Sequence, residues 1–171
     1  MKRAEREDRL EAVIRATASD LLAYLERRID PRADAADVLS EALIVAWKKA
    51  SRLPSDDVAA RMWLFAITRN TLLNARRATS RRNDATSRLR VELSLVSAAD
   101  DPDNVLAVRD AVNNLPLEMR ELVELVHWEG FSIAEAASIT SVSPSTARSR
   151  YSAAKAKLRR ALTTEVENSP T

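Results

Sequence analysis

The sequence contains no cysteine, one glycine (Gly130), one histidine (His127), and only three tryptophans, two tyrosines and two phenylalanines in 171 residues. Without cysteine there can be no disulfide and no thiolate metal site, and one histidine cannot furnish a His-rich metal site or a Cys–His nucleophile pair. A lone histidine late in a helix reads as a surface or half-buried structural residue. The shortage of glycine and aromatics argues against β-rich folds, which need turn glycines and strand-forming side chains. Alanine, leucine, arginine and glutamate dominate instead, which favours helix, so the chain reads as all-α. No nucleophile–base pair, phosphate-binding glycine loop or metal constellation is visible; an enzyme is the weakest reading, and neither metal nor cofactor is expected. No apolar run approaches transmembrane length, and Met1–Arg9 is too charged to open a signal peptide. Membrane insertion is therefore not expected, and the expected compartment is cytoplasmic.

The formal net charge is only +2, so its distribution carries more information. Asp34, Asp37, Glu41, Asp56 and Asp57 outnumber Lys48, Lys49 and Arg52 between residues 34 and 60. Arg69, Arg76, Arg77, Arg81, Arg82, Arg88 and Arg90 then face Asp84 alone, and a third, basic block follows Pro144. One acidic and two basic blocks point to different partners, although a charge run is also compatible with a merely solvated face.

Apolar residues at 10, 13, 14, 21, 22, 25 and 29 predict a helix over 10–29 with a weak centre, ended by Pro31. A second helix is predicted from about Asp34 to Ser51, where the rows Val38/Ala42/Ala46 and Leu39/Leu43/Trp47 make one broad apolar face beside Asp37 and Glu41. After the LPSDD loop a third runs from about Val58 to Arg77, with Trp63, Ile67, Thr71 and Leu73 or Asn74 inward and Arg69, Arg76 and Arg77 sharing a face with Asn70 and Asn74 alongside. Residues 1–79 thus read as a helical bundle, 80–103 as a flexible linker, and 104–171 as a second helical domain.

In the second domain, Pro116 is placed in the first turn of a helix that continues to Glu129, and Gly130 supplies the left-handed backbone of its stop. Ser132-Ile-Ala-Glu135 matches a capping box opening a short helix to about Ile139. Thr140–Ser143 forms the turn, and Ser143 caps a last helix that starts at Pro144 and reaches about Leu162. Ala147, Tyr151, Ala154, Leu158 and Ala161 face inward there; Ser145, Arg148, Ser149, Ser152, Lys155 and Arg159 face away. Small hydroxyls and an arginine at a helix N-terminus suit major-groove contacts; an ordinary helical hairpin with a solvated face is the alternative.

These residues resemble a known family. LPLEMRELVELVHWEGFSIAEAASITSVSPSTARSRYSAAKAKLRRAL looks like region 4 of bacterial sigma factors, DAADVLSEALIVAWKKA like region 2.2, and RMWLFAITRNTLLNARR like regions 2.3–2.4. Together, and in this order, they are similar to the extracytoplasmic-function (ECF) subfamily over residues 10–162. The resemblance implies a sigma factor that binds core RNA polymerase and promoter DNA, with an anti-sigma factor as a further partner and no chemistry of its own. It implies polymerase docking through Asp37, Ser40, Glu41 and Ile44, and −10 capture and melting through Arg52, Arg69, Asn70, Asn74, Arg76 and Arg77 with the Arg52–Asp57 loop. It implies −35 reading through Ser145, Thr146, Arg148, Ser149, Arg150, Ser152 and Lys155. Trp63 is read as core rather than as a stacking residue. The chain departs from the family pattern at Ser141 and Ser145, where glycines are usual, at Ala153, where a basic residue is common, and in the 53–57 loop, which lacks the usual aromatic and glycine. Two rivals remain: a stand-alone regulator, which leaves residues 34–50 and 61–77 unexplained, and a sigma homologue that titrates another regulator.

Overall fold

The computed structural model describes the backbone of residues 3–86 and 103–167, and side chains within 4–79 and 108–163. Every regular element among the described residues is helical, and the chain divides into two compact units, Met1–Glu92 and Leu93–Thr171. Of the segment read as a linker, residues 87–102, with Arg88 and Arg90, lie outside the described residues.

The first unit packs α1 (Arg3–Glu26), α2 (Ala35–Lys48) and α3 (Asp57–Thr86) against one another. Helix α1 starts earlier than its apolar rhythm predicts and ends at Glu26, short of Ile29. Its weak centre is filled by Thr17, which is buried because its hydroxyl donates to the Val13 carbonyl at 2.8 Å and so needs no outside partner. Leu10, Leu21, Tyr24 and Leu25 complete the inner face, and the Tyr24 ring meets Phe65 of α3 edge-on at 5.5 Å.

Helix α2 buries Ala35, Ala42 and Ala46. These small side chains let α2 sit close to both neighbours. The broad apolar face expected of α2 is only partly used: Leu39 and Leu43 are half-buried and Trp47 is 44% exposed. On α3 the buried row is Ala60, Leu64, Phe65, Ile67, Thr68, Thr71 and Leu72, with Trp63 half-buried and Asn74 exposed. Helix α3 also runs to Thr86, beyond the expected end at Arg77.

The second unit comprises α4 (Asp103–Asn113), α5 (Leu117–His127), α6 (Ile133–Thr140) and α7 (Pro144–Glu167). Its core gathers Val112, Leu115, Val123, Tyr151 and Ala154, lined by Met119, Val126, Ile133 and Leu158. Phe131, immediately after the glycine, is also buried. Pro116 precedes α5 as its N-cap instead of occupying its first turn, and Leu117, the first residue of the helix, is 49% exposed. The Pro116 carbonyl accepts from the amides of Met119 and Arg120, both at 2.9 Å.

Candidate functional site

Helices α6 and α7 are set by local chemistry. Helix α5 ends through bonds from the Trp128 and Glu129 amides to the Glu124 carbonyl (2.9 and 3.3 Å), and the chain leaves at Gly130 with φ +73°. A Cβ at Gly130 meets nothing within 4 Å, so the demand for glycine is one of backbone, not of space. The capping box is present: Glu135 N donates to Ser132 Oγ at 3.3 Å, and Ser132 N donates to Glu135 Oε2 at 2.7 Å.

Helix α6 includes Thr140, whose hydroxyl donates to the Ala136 carbonyl at 2.7 Å, so the turn is one residue shorter than expected. It closes as a Schellman motif, with Val142 N donating to Ala137 O at 3.0 Å and Ser141 N to Ser138 O at 3.2 Å. Ser141 therefore sits in the left-handed region (φ 59°, ψ 38°), the one non-glycine with positive φ among the described residues. Ser143 Oγ then accepts from the Thr146 amide at 3.1 Å and starts α7 at Pro144.

On α7 the residues read as DNA contacts separate into two groups. Ser145, Arg148, Ser149, Ser152 and Lys155 are exposed and follow one another along a single face. Thr146 and Arg150 do not join them. Thr146 is half-buried with its hydroxyl 2.8 Å from Ser143 Oγ within the cap, a contact the exposed Ser145 hydroxyl also makes at 2.9 Å, and Arg150 pairs with Glu118 of α5 at 2.6 Å. Behind the stripe, Ala147 and Ala154 are fully buried. Lys155 Nζ stands 5.0 Å from the Tyr151 ring centre, and the Tyr151 hydroxyl is 2.8 Å from His127 Nε2. His127 is thus a structural neighbour of the core tyrosine.

In the first unit, Asp37, Ser40, Glu41 and Ile44 are all exposed on α2. Ser40 Oγ donates to its own helix at the Ala36 carbonyl (2.9 Å). Ile44 is 53% exposed and continues into Trp47, so two carboxylates border an uncovered apolar pair. Trp47 also walls a shallow groove of about 360 Å³ with Arg6, Glu7, Lys48, Ala50 and Ser51.

Along α3, Asn70, Asn74 and Arg77 form an exposed stripe, while Arg69 and Arg76 are half-buried on its flank. Arg76 Nη2 donates to the Arg28 carbonyl at the end of α1 (2.7 Å), where Arg28 covers the Tyr24 ring at 3.7 Å. Arg76 thus ties α3 to α1. Arg52 is exposed at the end of a short 3₁₀ turn, Ala50–Arg52, which delivers the chain into the 53–57 loop. Arg9 of α1, which belongs to no sequence motif, reaches this loop: its Nη2 donates to Pro54 O (3.1 Å), Ser55 O (2.6 Å) and Asp57 Oδ1 (3.1 Å). Two of its acceptors are backbone carbonyls, which leave no trace in side-chain identity. Among the described residues no group of acids and histidine could hold a metal ion, and no helix is long and apolar enough to cross a membrane.

Residues 13–82 match the family model for sigma-70 region 2, and residues 106–158 match that for sigma-70 region 4. The ECF RNA polymerase sigma factor SigL of Mycobacterium tuberculosis is 30% identical over 148 residues, which cover 83% of this chain and 82% of SigL. SigM of the same organism, also an ECF RNA polymerase sigma factor, is 32% identical over 130 residues, 75% of this chain and 64% of its own. Among solved structures, the sigma factor RpoE of Bartonella quintana, crystallised with the anti-sigma factor NepR, superposes with a TM-score of 0.68 at 26% identity, covering 92% of this chain and 96% of that one.

Proposed function

Since the chain belongs to the ECF sigma factors of RNA polymerase, non-catalytic transcription initiation factors, we propose that its two units divide promoter recognition between them. The region 2 bundle, residues 1–79, docks on core polymerase and captures the −10 element; residues 104–171 read the −35 element; 80–103 join them.

The observation that carries this reading is the α7 stripe. A helix started by a serine cap and an N1 proline carries Ser145, Arg148, Ser149, Ser152 and Lys155 on one exposed face, and its other face is locked into the core by Ala147, Tyr151 and Ala154. Such a helix enters a major groove N-terminus first, with Arg148 placed for bidentate pairing to a guanine and the hydroxyls for bases or phosphates. Thr146 and Arg150 hold the reader in place. On α2, Ile44 and Trp47 anchor a partner helix while Asp37, Ser40 and Glu41 set its orientation. On α3, the Asn70 and Asn74 amides offer both donors and acceptors to unstacked bases. Arg52 and Arg77 hold phosphates, Arg69 supports them from the flank, and Arg76 positions α3. An anti-sigma factor competing for the α2 face is a further partner, supported by the likeness to the NepR-bound sigma factor. The protein works in the cytoplasm, where core polymerase is. Run-off transcription with purified core enzyme, followed by start-site mapping, tests the whole: defined starts preceded by shared −35 and −10 sequences are expected, and binding to duplex DNA without initiation refutes it.

A further inference from the structure

Arg9 lies outside the region 2 match, which begins at residue 13, yet it is the cation on which the 53–57 loop is hung. Its three bonds span 45, 46 and 48 residues of chain. The loop has no glycine and no aromatic residue to shape it. At its ends, Leu53 N donates to Ala50 O (3.2 Å) and the Asp56 carboxylate accepts from Ala59 N (2.8 Å). Between those ends the consecutive carbonyls of Pro54 and Ser55 both point to Arg9, and two peptide planes fixed on one guanidinium leave the loop little freedom. The same guanidinium pairs with Asp57, one of two adjacent carboxylates that would otherwise repel a DNA backbone. Arg9 Nε is buried with no hydrogen-bond partner among the described residues. All three contacts are made by Nη2, whose two hydrogens are shared among three acceptors, so the loop is held by the reach and charge of that one nitrogen at the end of a long planar side chain.

We infer that Arg9 is a positioning residue for base selection at the −10 element: it clamps the 53–57 loop in the conformation that receives the unstacked base. This rests on the proposed reading of that loop as a −10 contact. The test uses holoenzyme reconstituted with Arg9→Ala, Arg9→Lys, Ser55→Ala or Arg52→Ala. Core affinity, amide exchange across the loop, and strand opening on promoters differing only in −10 bases are measured for each. For Arg9→Ala the expected result is unchanged core affinity and helicity, faster exchange in the loop, and roughly tenfold weaker discrimination among −10 bases. Arg9→Lys, which keeps the charge and an N–H donor group at slightly shorter reach, is expected to restore part of both the opening and the discrimination. If Ser55→Ala or Arg52→Ala alters −10 preference while Arg9→Ala leaves it intact, the role of Arg9 is overturned and the loop reading stands. If no variant alters it, the loop reading falls and the inference falls with it. Lost core affinity or thermal stability with unchanged base preference marks Arg9 as purely structural and also overturns it.

Discussion

Ser141 holds a backbone conformation that an L-residue pays for. At φ 59° its Cβ crowds the following carbonyl, a strain of roughly 1–2 kcal/mol that glycine escapes, offset in part by the greater freedom glycine loses on folding. Ser141→Gly is expected to stabilise the protein by about 0.5–1 kcal/mol, read as a higher denaturant midpoint at unchanged slope. Arg148 and Arg150, two positions apart, should behave differently. Arg148→Ala removes an exposed cation from the proposed reading face and should cost about 1–3 kcal/mol at one −35 position while relaxing preference there. Arg150→Ala removes a half-exposed pair with Glu118 and should weaken all −35 sequences alike, with a stability loss below about 1 kcal/mol. Binding of holoenzyme to duplexes varied one base pair at a time separates the two; a shared pattern of losses would contradict the assignment.

Among the elements, α2 has two faces of opposite character. Its alanines bury it and its acids and large apolar residues stay outside, so a charge reversal on the outer face should not disturb the bundle. Asp37→Arg is expected to lower core-polymerase affinity at least about tenfold and to move stability by no more than about 0.5 kcal/mol, measured by competitive holoenzyme assembly and by thermal unfolding. Elements of this kind were legible in sequence wherever the signal was local: the Ser132–Glu135 capping box, the Ser143 cap and the stop at Gly130 each depend on residues within a turn of one another. What depended on another helix was not. Trp47 completes an apolar row on α2, but whether that row is covered depends on how closely α1 and α3 approach. The family resemblance implies DNA contacts at Arg76 and Arg150, and nothing local in the sequence shows the partner each also has 48 or 32 positions away, the Arg28 carbonyl and the Glu118 carboxylate. Thr17 sat in a gap of the apolar rhythm because a threonine that satisfies its own hydroxyl within its helix counts as apolar only once the helix exists.

For the whole molecule, a net charge of +2 conceals a division of sign that should set how the protein responds to salt. The exposed cations beyond Pro144, Arg148, Lys155, Lys157, Arg159 and Arg160, limit the counterions released by −35 binding. The logarithm of that affinity should fall with the logarithm of salt at a slope no steeper than about −5. Removing Lys157 should reduce the slope by about one without changing sequence preference. Titrations between 50 and 200 mM salt, roughly the range over which such contacts respond, check both.

The uncovered indoles have a consequence of another kind. Trp47 is 44% exposed on α2 and Trp128 is 43% exposed at the end of α5, with Trp63 half-buried on α3. Each unit therefore carries a native optical reporter on its surface, emitting to the red while water surrounds it. Two single-indole forms, one keeping position 47 and the other position 128, would let the order in which polymerase, inhibitor and promoter arrive be followed by colour, with no dye attached.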